Sequence, residues 1–68
     1  MDSVYKVVEI IGTSESSWED AAKSALSTAS NSLEDLRVAE VKELDLRLDD
    51  SGNPVFRAKL NISFKFRE

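Results

Sequence analysis

The 68-residue chain reads as an α+β protein of order βαββ, with a three-stranded antiparallel sheet wrapped around one amphipathic helix. Three observations predict this. From Phe56 to Phe66 every even position is apolar and the odd positions are polar, the period of a half-buried strand. Between Trp18 and Leu33 the apolar residues recur at helical spacing instead. Between two long strand-like segments lies the turn cluster Asp49-Asp50-Ser51-Gly52-Asn53-Pro54, which joins them as an antiparallel hairpin.

The first strand covers Val4 to Ile11, a run rich in β-branched residues, and Gly12 is expected to close it by giving the backbone freedom to turn. Ser16-Ser17-Trp18-Glu19 then fits a capping box, the Ser16 hydroxyl and the Glu19 carboxylate satisfying free backbone donors, with Ser14 as the competing cap. Behind it Trp18, Ala21, Ala22, Ala25, Leu26, Ala29 and Leu33 form the apolar stripe of a helix over about 16–32. The stripe is mostly alanine, so this helix lies close to a sheet while burying modest area, and Trp18 supplies the bulk as a core residue.

The second strand runs from Leu36 to Leu48, but its alternation changes phase: Ala39 and Val41 are odd, whereas Leu44, Leu46 and Leu48 are even. A bulge or bend near Lys42 and Glu43 reconciles the two halves. In the turn that follows, Gly52 can take positive φ and Pro54 stands where no ladder bond is needed from it.

Length allows one domain, residues 1–68, and lies below the size at which a single core becomes comfortably self-sufficient. There is no cysteine and no histidine, hence no disulfide, no thiolate or imidazole metal site and no histidine base. Association with copies of itself is the remaining way to finish the core, and the last strand is longer than one small chain can cover. Nine basic against thirteen acidic residues give a formal charge of -4, which argues against nucleic acid as a partner. No stretch resembles a leader or a membrane span, and the expectation is a cytoplasmic protein without a membrane partner.

Catalysis has little support. The serines between residues 14 and 32 lack a base and the Ser-x-x-Lys pattern, and Gly12-Thr13-Ser14 lacks the further residues of a phosphate loop. Glu34, Asp35, Glu40, Glu43, Asp45, Asp49 and Asp50 supply carboxylate oxygen of the kind calcium prefers, but without an EF-hand pattern. As isolated side chains they read as solvated acids or as partners of Lys6, Arg37, Lys42 and Arg47; gathered at a symmetry axis they would form a cation-holding ring, although no metal-ligating residues can be named. Arg57, Lys59, Lys65 and Arg67 share the polar face of the last strand. They read either as cross-strand partners of Glu43 and Asp45 or as contacts to an anionic ligand at a subunit interface.

The segment Val4-Tyr5-Lys6-Val7-Val8-Glu9-Ile10-Ile11-Gly12-Thr13-Ser14, the helix start Trp18-Glu19-Asp20-Ala21-Ala22 and Val38-Ala39-Glu40-Val41 closely resemble the dodecins, over nearly the whole chain. That resemblance implies twelve chains assembled as a hollow homododecamer that binds flavin, riboflavin or FMN, between subunits and stores it without turnover. It also implies that Glu40 joins intersubunit salt bridges with basic residues such as Lys6.

Two positions depart from the flavin-binding pattern. Val38 stands where the resemblance implies a tryptophan stacking on the isoalloxazine ring, and Arg57 where it implies a glutamine bonded to the ring's polar edge. Loss of a stacking aromatic costs about 1 to 3 kcal/mol, by analogy with base stacking. Arg57 is a donor-only cation that suits an anion or a neighbouring carboxylate better than a flavin edge. Val38 and Arg57 therefore mark a former flavin site, and the expected function is binding and sequestration of a small ligand. Flavin is the family ligand, weakened here; a calcium-binding shell and an assembly with no small ligand are the alternatives.

Overall fold

The computed structural model describes residues 3–66, and Met1, Asp2, Arg67 and Glu68 lie outside the described residues. The elements are β1 (Tyr5–Ser14), α1 (Trp18–Ser30), β2 (Leu36–Leu48) and β3 (Pro54–Lys65). Both β1 and β2 pair antiparallel with β3, giving the sheet order β1-β3-β2. The expected βαββ order, the β2–β3 hairpin and the single helix are all present.

β3 is central because it carries the clean alternation. Its even residues Ala58, Leu60 and Ile62 are fully buried and meet Ala21, Ala25 and Ala29 of α1. Val8 and Ile10 of β1, with Leu26, Leu33 and Leu36, pack around this cluster. Thirteen helical residues span about 20 Å, whereas strands of twelve or thirteen reach about 40 Å. The helix therefore covers only part of the sheet, and the molecule is elongated, 53 × 20 × 16 Å.

β1 runs three residues beyond the predicted end. Gly12 stays in the ladder opposite Ala58, and its lack of a side chain serves a close approach. A Cβ there would run into the Ala21 carbonyl oxygen and stand 2.8 Å from the Ala25 Cβ. The glycine and the alanine stripe are thus one device, which seats α1 directly on β1.

The helix is two residues shorter at each end than the predicted 16–32, and its cap falls one residue later. Ser17, with extended backbone (φ -167°, ψ 165°), is the cap, and its hydroxyl accepts from the Asp20 amide at 3.0 Å. Ser14 plays a supporting part: its oxygen accepts from the Ser16 amide at 2.9 Å and its hydroxyl donates to Asp20 Oδ2 at 2.7 Å. Both serines fit the same spacing rule, and this extra Ser14–Asp20 bond favours the frame starting at Ser17. At the other end the Asn31 amide donates to Thr28 O at 3.1 Å. Asp35, with φ of 56°, then turns the chain into β2, a conformation aspartate tolerates better than most residues.

The register of β2 against β3 shifts between Val41 and Glu43, so Lys42 is the expected bulge. A second shift between Leu36 and Val38 was not evident from the alternation. The hairpin turn is held by Asp49, whose Oδ1 accepts from the amides of Ser51 and Asn53, both at 2.9 Å, while Gly52 takes φ of 82°.

Candidate ligand-binding face

The sheet has two faces of different chemistry. The odd residues of β3 point away from α1, and cross-strand neighbours share a face. Val7, Ser63 and Val38 are neighbours across the three strands, as are Glu9, Asn61 and Glu40 and, nearer the hairpin, Thr13, Arg57 and Asp45. This helix-free face carries the candidate residues Val38, Glu40 and Arg57.

Val38 is 62% exposed and lines a hollow of about 340 Å³ with Val7, Glu40, Asn61 and Ser63. The Ser63 hydroxyl donates to the Val38 carbonyl oxygen at 3.3 Å, which pins the strand beside the bulge. Arg57 lies elsewhere, in a narrow cleft of about 40 Å³ with Ile11, Glu43, Asp45 and Lys59. Val38 stands opposite Ser63, so along β3 the two candidates are about 20 Å apart. One chain does not bring Val38 and Arg57 together, and a site using both would draw them from different copies.

Arg57 is held by Asp45, its partner across the hairpin. The guanidinium Nε donates to Oδ1 at 2.6 Å and Nη2 to Oδ2 at 3.0 Å. These hydrogen bonds from Arg57 hold the Asp45 carboxyl below its ordinary value, and those to Asp45 raise the guanidinium above its own. Asp45 is itself positioned through its backbone, since its carbonyl oxygen accepts from Trp18 Nε1 at 3.0 Å. Trp18 is half-buried, with its ring meeting Phe56 edge-on at 5.0 Å. Trp18 thus stands outside the buried core cluster where it was expected, because its indole N–H reaches across to β2 and ties the start of α1 to that strand.

Other charges on the face form looser pairs: Lys59 Nζ lies 3.7 Å from Glu9, and Lys42 Nζ 4.0 Å from Glu40. Lys6 belongs to the opposite face, because it neighbours Phe64 of the helix-side row, and its Nζ sits 6.0 Å over the Phe66 ring. Lys6 and Glu40 thus point to opposite sides of one sheet, and any salt bridge between them has to join two chains. Arg67 lies outside the described residues. Among the described residues no three acidic side chains gather as a cation site within one chain. Nor is any helix among them long and apolar enough to cross a membrane.

A further hollow lies on the helix side of β1 and has no counterpart in the sequence reading. A groove of about 540 Å³ runs between β1 and α1, with Val8, Ile10, Ala25, Ala29 and Leu33 among its apolar lining and Ser24, Thr28 and Ser32 along its rim. Its only sequence signal is the run of small residues on the helix, which keeps the helix close and leaves nothing bulky to fill the space beside β1.

The dodecin family model matches residues 4–67. Calcium dodecin of Mycobacterium tuberculosis is 52% identical over 65 residues, 96% of this chain and 92% of that protein. Its crystal structure, described as that of a calcium-chelating antigen with a novel calcium-binding site, superposes with a TM-score of 0.87 and covers 96% of this chain and 93% of that one. Dodecin of Thermus thermophilus is 37% identical over 68 residues, 100% of this chain and 99% of that protein. With the βαββ order, the sheet order and the close α1–β1 contact all in place, the chain belongs to the dodecin family.

Proposed function

We propose that this protein is a non-catalytic, cytoplasmic ligand-sequestering shell of twelve copies, and that its ligand is calcium. The observation that carries the choice of ligand is the closed Asp45–Arg57 pair. By the family resemblance this pair stands where a flavin edge would need a neutral donor and acceptor, and Val38 offers no ring to stack on. Likeness to a relative named for calcium supports the same choice. Calcium takes six to eight oxygen ligands. One chain gathers no three carboxylates among its described residues, which supports a site assembled where copies meet. In this reading Glu40 and Lys6, on opposite faces, serve assembly.

The test is calorimetric titration of the chelator-treated assembly with calcium. Saturable heat at a fixed number of ions per twelve chains supports the proposal, and its absence at millimolar calcium rejects it.

Flavin is the second reading, favoured by the open hollow of about 340 Å³ beside Val38, a volume within the range of small-molecule sites. It predicts saturable quenching of riboflavin or FMN fluorescence on addition of protein. If neither ligand responds, the shell is a structural assembly alone.

A further inference from the structure

We propose that Trp18 is the positioning residue of the Asp45–Arg57 pair, so that the start of α1, on the other side of the sheet, determines whether the pair closes. This inference rests on the reading that the closed pair keeps flavin out, and it adds the residue on which that selectivity depends.

The pair lacks the means to stay closed by itself. The Arg57 and Asp45 side chains are 37% and 47% exposed, and exposed ion pairs ordinarily lose most of their gain to water and side-chain freedom. Yet the contact is two-pronged, at 2.6 and 3.0 Å, which demands a fixed distance and angle between the two backbones. β3 supplies one fixed side because it is the central strand. β2 is an edge strand, and its register shifts between Val41 and Glu43, just before Asp45. A bulge bends the strand that carries it, so the Asp45 side of the pair needs a further anchor.

Trp18 is that anchor. Its Nε1 donates to the Asp45 carbonyl oxygen at 3.0 Å. Its ring stands edge-on to Phe56 at 5.0 Å, and Phe56 precedes Arg57 in β3. One indole thus holds both strands of the hairpin at the level of the ion pair. Successive side chains of a strand point to opposite faces, so Trp18 works from behind the pair and leaves the ligand face open. The ring is fixed in turn by its place as the first residue of α1, where the Ser17 cap and the Ser14–Asp20 bond hold the helix start. α1 otherwise makes little contact with β2, so the helix start acts on the pair through this indole.

The charged groups that face Asp45 are Arg57 and Lys59 of β3 and Glu43 and Arg47 of its own strand. At this level β1 presents Ile11 and Thr13, while its Glu9 is drawn to Lys59. Among the described residues Arg57 is the one that hydrogen-bonds the carboxylate.

The test compares melting temperatures of ligand-free, full-length protein at neutral pH. Trp18→Phe keeps a ring against Phe56 and removes the indole N–H. The fall in melting temperature caused by Asp45→Asn should shrink by about half or more when Trp18→Phe is also present, because the pair is then already loosened. An equal fall in both backgrounds makes the two residues independent and overturns the proposal.

If Trp18→Phe fails to fold by circular dichroism, the wild type supplies the test, since Trp18 is the single tryptophan. Its emission should change as pH falls through the Asp45 titration, which Arg57 holds below the ordinary 3.8. Arg57→Gln should move that change upward in pH, and Asp45→Asn should abolish it. Emission that follows the same curve in wild type and Asp45→Asn overturns the proposal. No ligand enters either measurement, so missing calcium heat would overturn the proposed ligand and leave the role of Trp18 to be decided by these results.

Discussion

Asp45 and Arg57 face each other across the β2–β3 hairpin and close a two-pronged ion pair, Nε to Oδ1 at 2.6 Å and Nη2 to Oδ2 at 3.0 Å. The bond from Arg57 lowers the Asp45 carboxyl from its ordinary 3.8. A carboxyl with a depressed folded value stabilises the protein above its unfolded value, and that contribution is lost as pH falls through the folded value. The difference in melting temperature between wild type and Asp45→Asn should therefore be constant above about pH 5 and close progressively below the ordinary carboxylate range. Melts followed by circular dichroism across that range check it; a gap unchanged down to pH 2 would show that the ion pair contributes nothing.

The same pair governs the flavin reading. Replacing Val38 by Trp restores a stacking surface, and replacing Arg57 by Gln frees Asp45 and restores an amide. The double change should raise riboflavin affinity about tenfold or more, since a stacking ring contributes about 1 to 3 kcal/mol. Fluorescence quenching is the measurement. Because Val38 and Arg57 are about 20 Å apart in one chain, the gain should vanish under conditions that dissociate the assembly. A gain that persists in dissociated chains would place the binding site on one copy.

What could be read from the sequence divides along the range of the interactions. The alternation from Phe56 onward specified β3, and the phase change between Val41 and Leu44 called for a bulge or bend near Lys42 and Glu43, which the register shift between Val41 and Glu43 bears out, because side-chain direction is local information. The Ser17 cap was displaced by one residue because Ser16 and Ser17 both satisfy the local rule, and only the Ser14 hydroxyl bonded to Asp20 separates them. Gly12 reads locally as a strand end, whereas its reason is tertiary, the Ala21 carbonyl pressed against it. Arg57 and Asp45 were both visible as charges, but their pairing required the hairpin register. The separation of Val38 from Arg57 follows from that register alone, and the α1–β1 groove exists only once the helix is docked.

Gly12→Ala tests the seat of the helix directly. An added methyl would overlap the Ala21 carbonyl, and backbone cannot move aside as the end of a flexible side chain would. Overpacking of this kind costs about 1 to 3 kcal/mol, and here the displaced element is the whole helix. Urea unfolding should show a lower midpoint, with the loss at or above the upper end of that range. A midpoint equal to wild type would mean that α1 lifts off β1 without cost.

The N-terminal cap offers a comparison between adjacent residues of one type. Ser17 Oγ accepts from the Asp20 amide, so Ser17→Ala leaves that donor to water and should cost about 1 kcal/mol. Ser16 is exposed and engages Ser14 through its backbone amide, which alanine retains, so Ser16→Ala should change stability by less than about 0.5 kcal/mol. Ser14→Ala should resemble Ser17→Ala, since it removes the acceptor for the Ser16 amide and the donor to Asp20 together. The three variants melted side by side should thus rank Ser14 and Ser17 well apart from Ser16. If Ser16→Ala proved the costliest, the helix would begin one residue earlier, in the frame where Glu19 and not Asp20 completes the capping box.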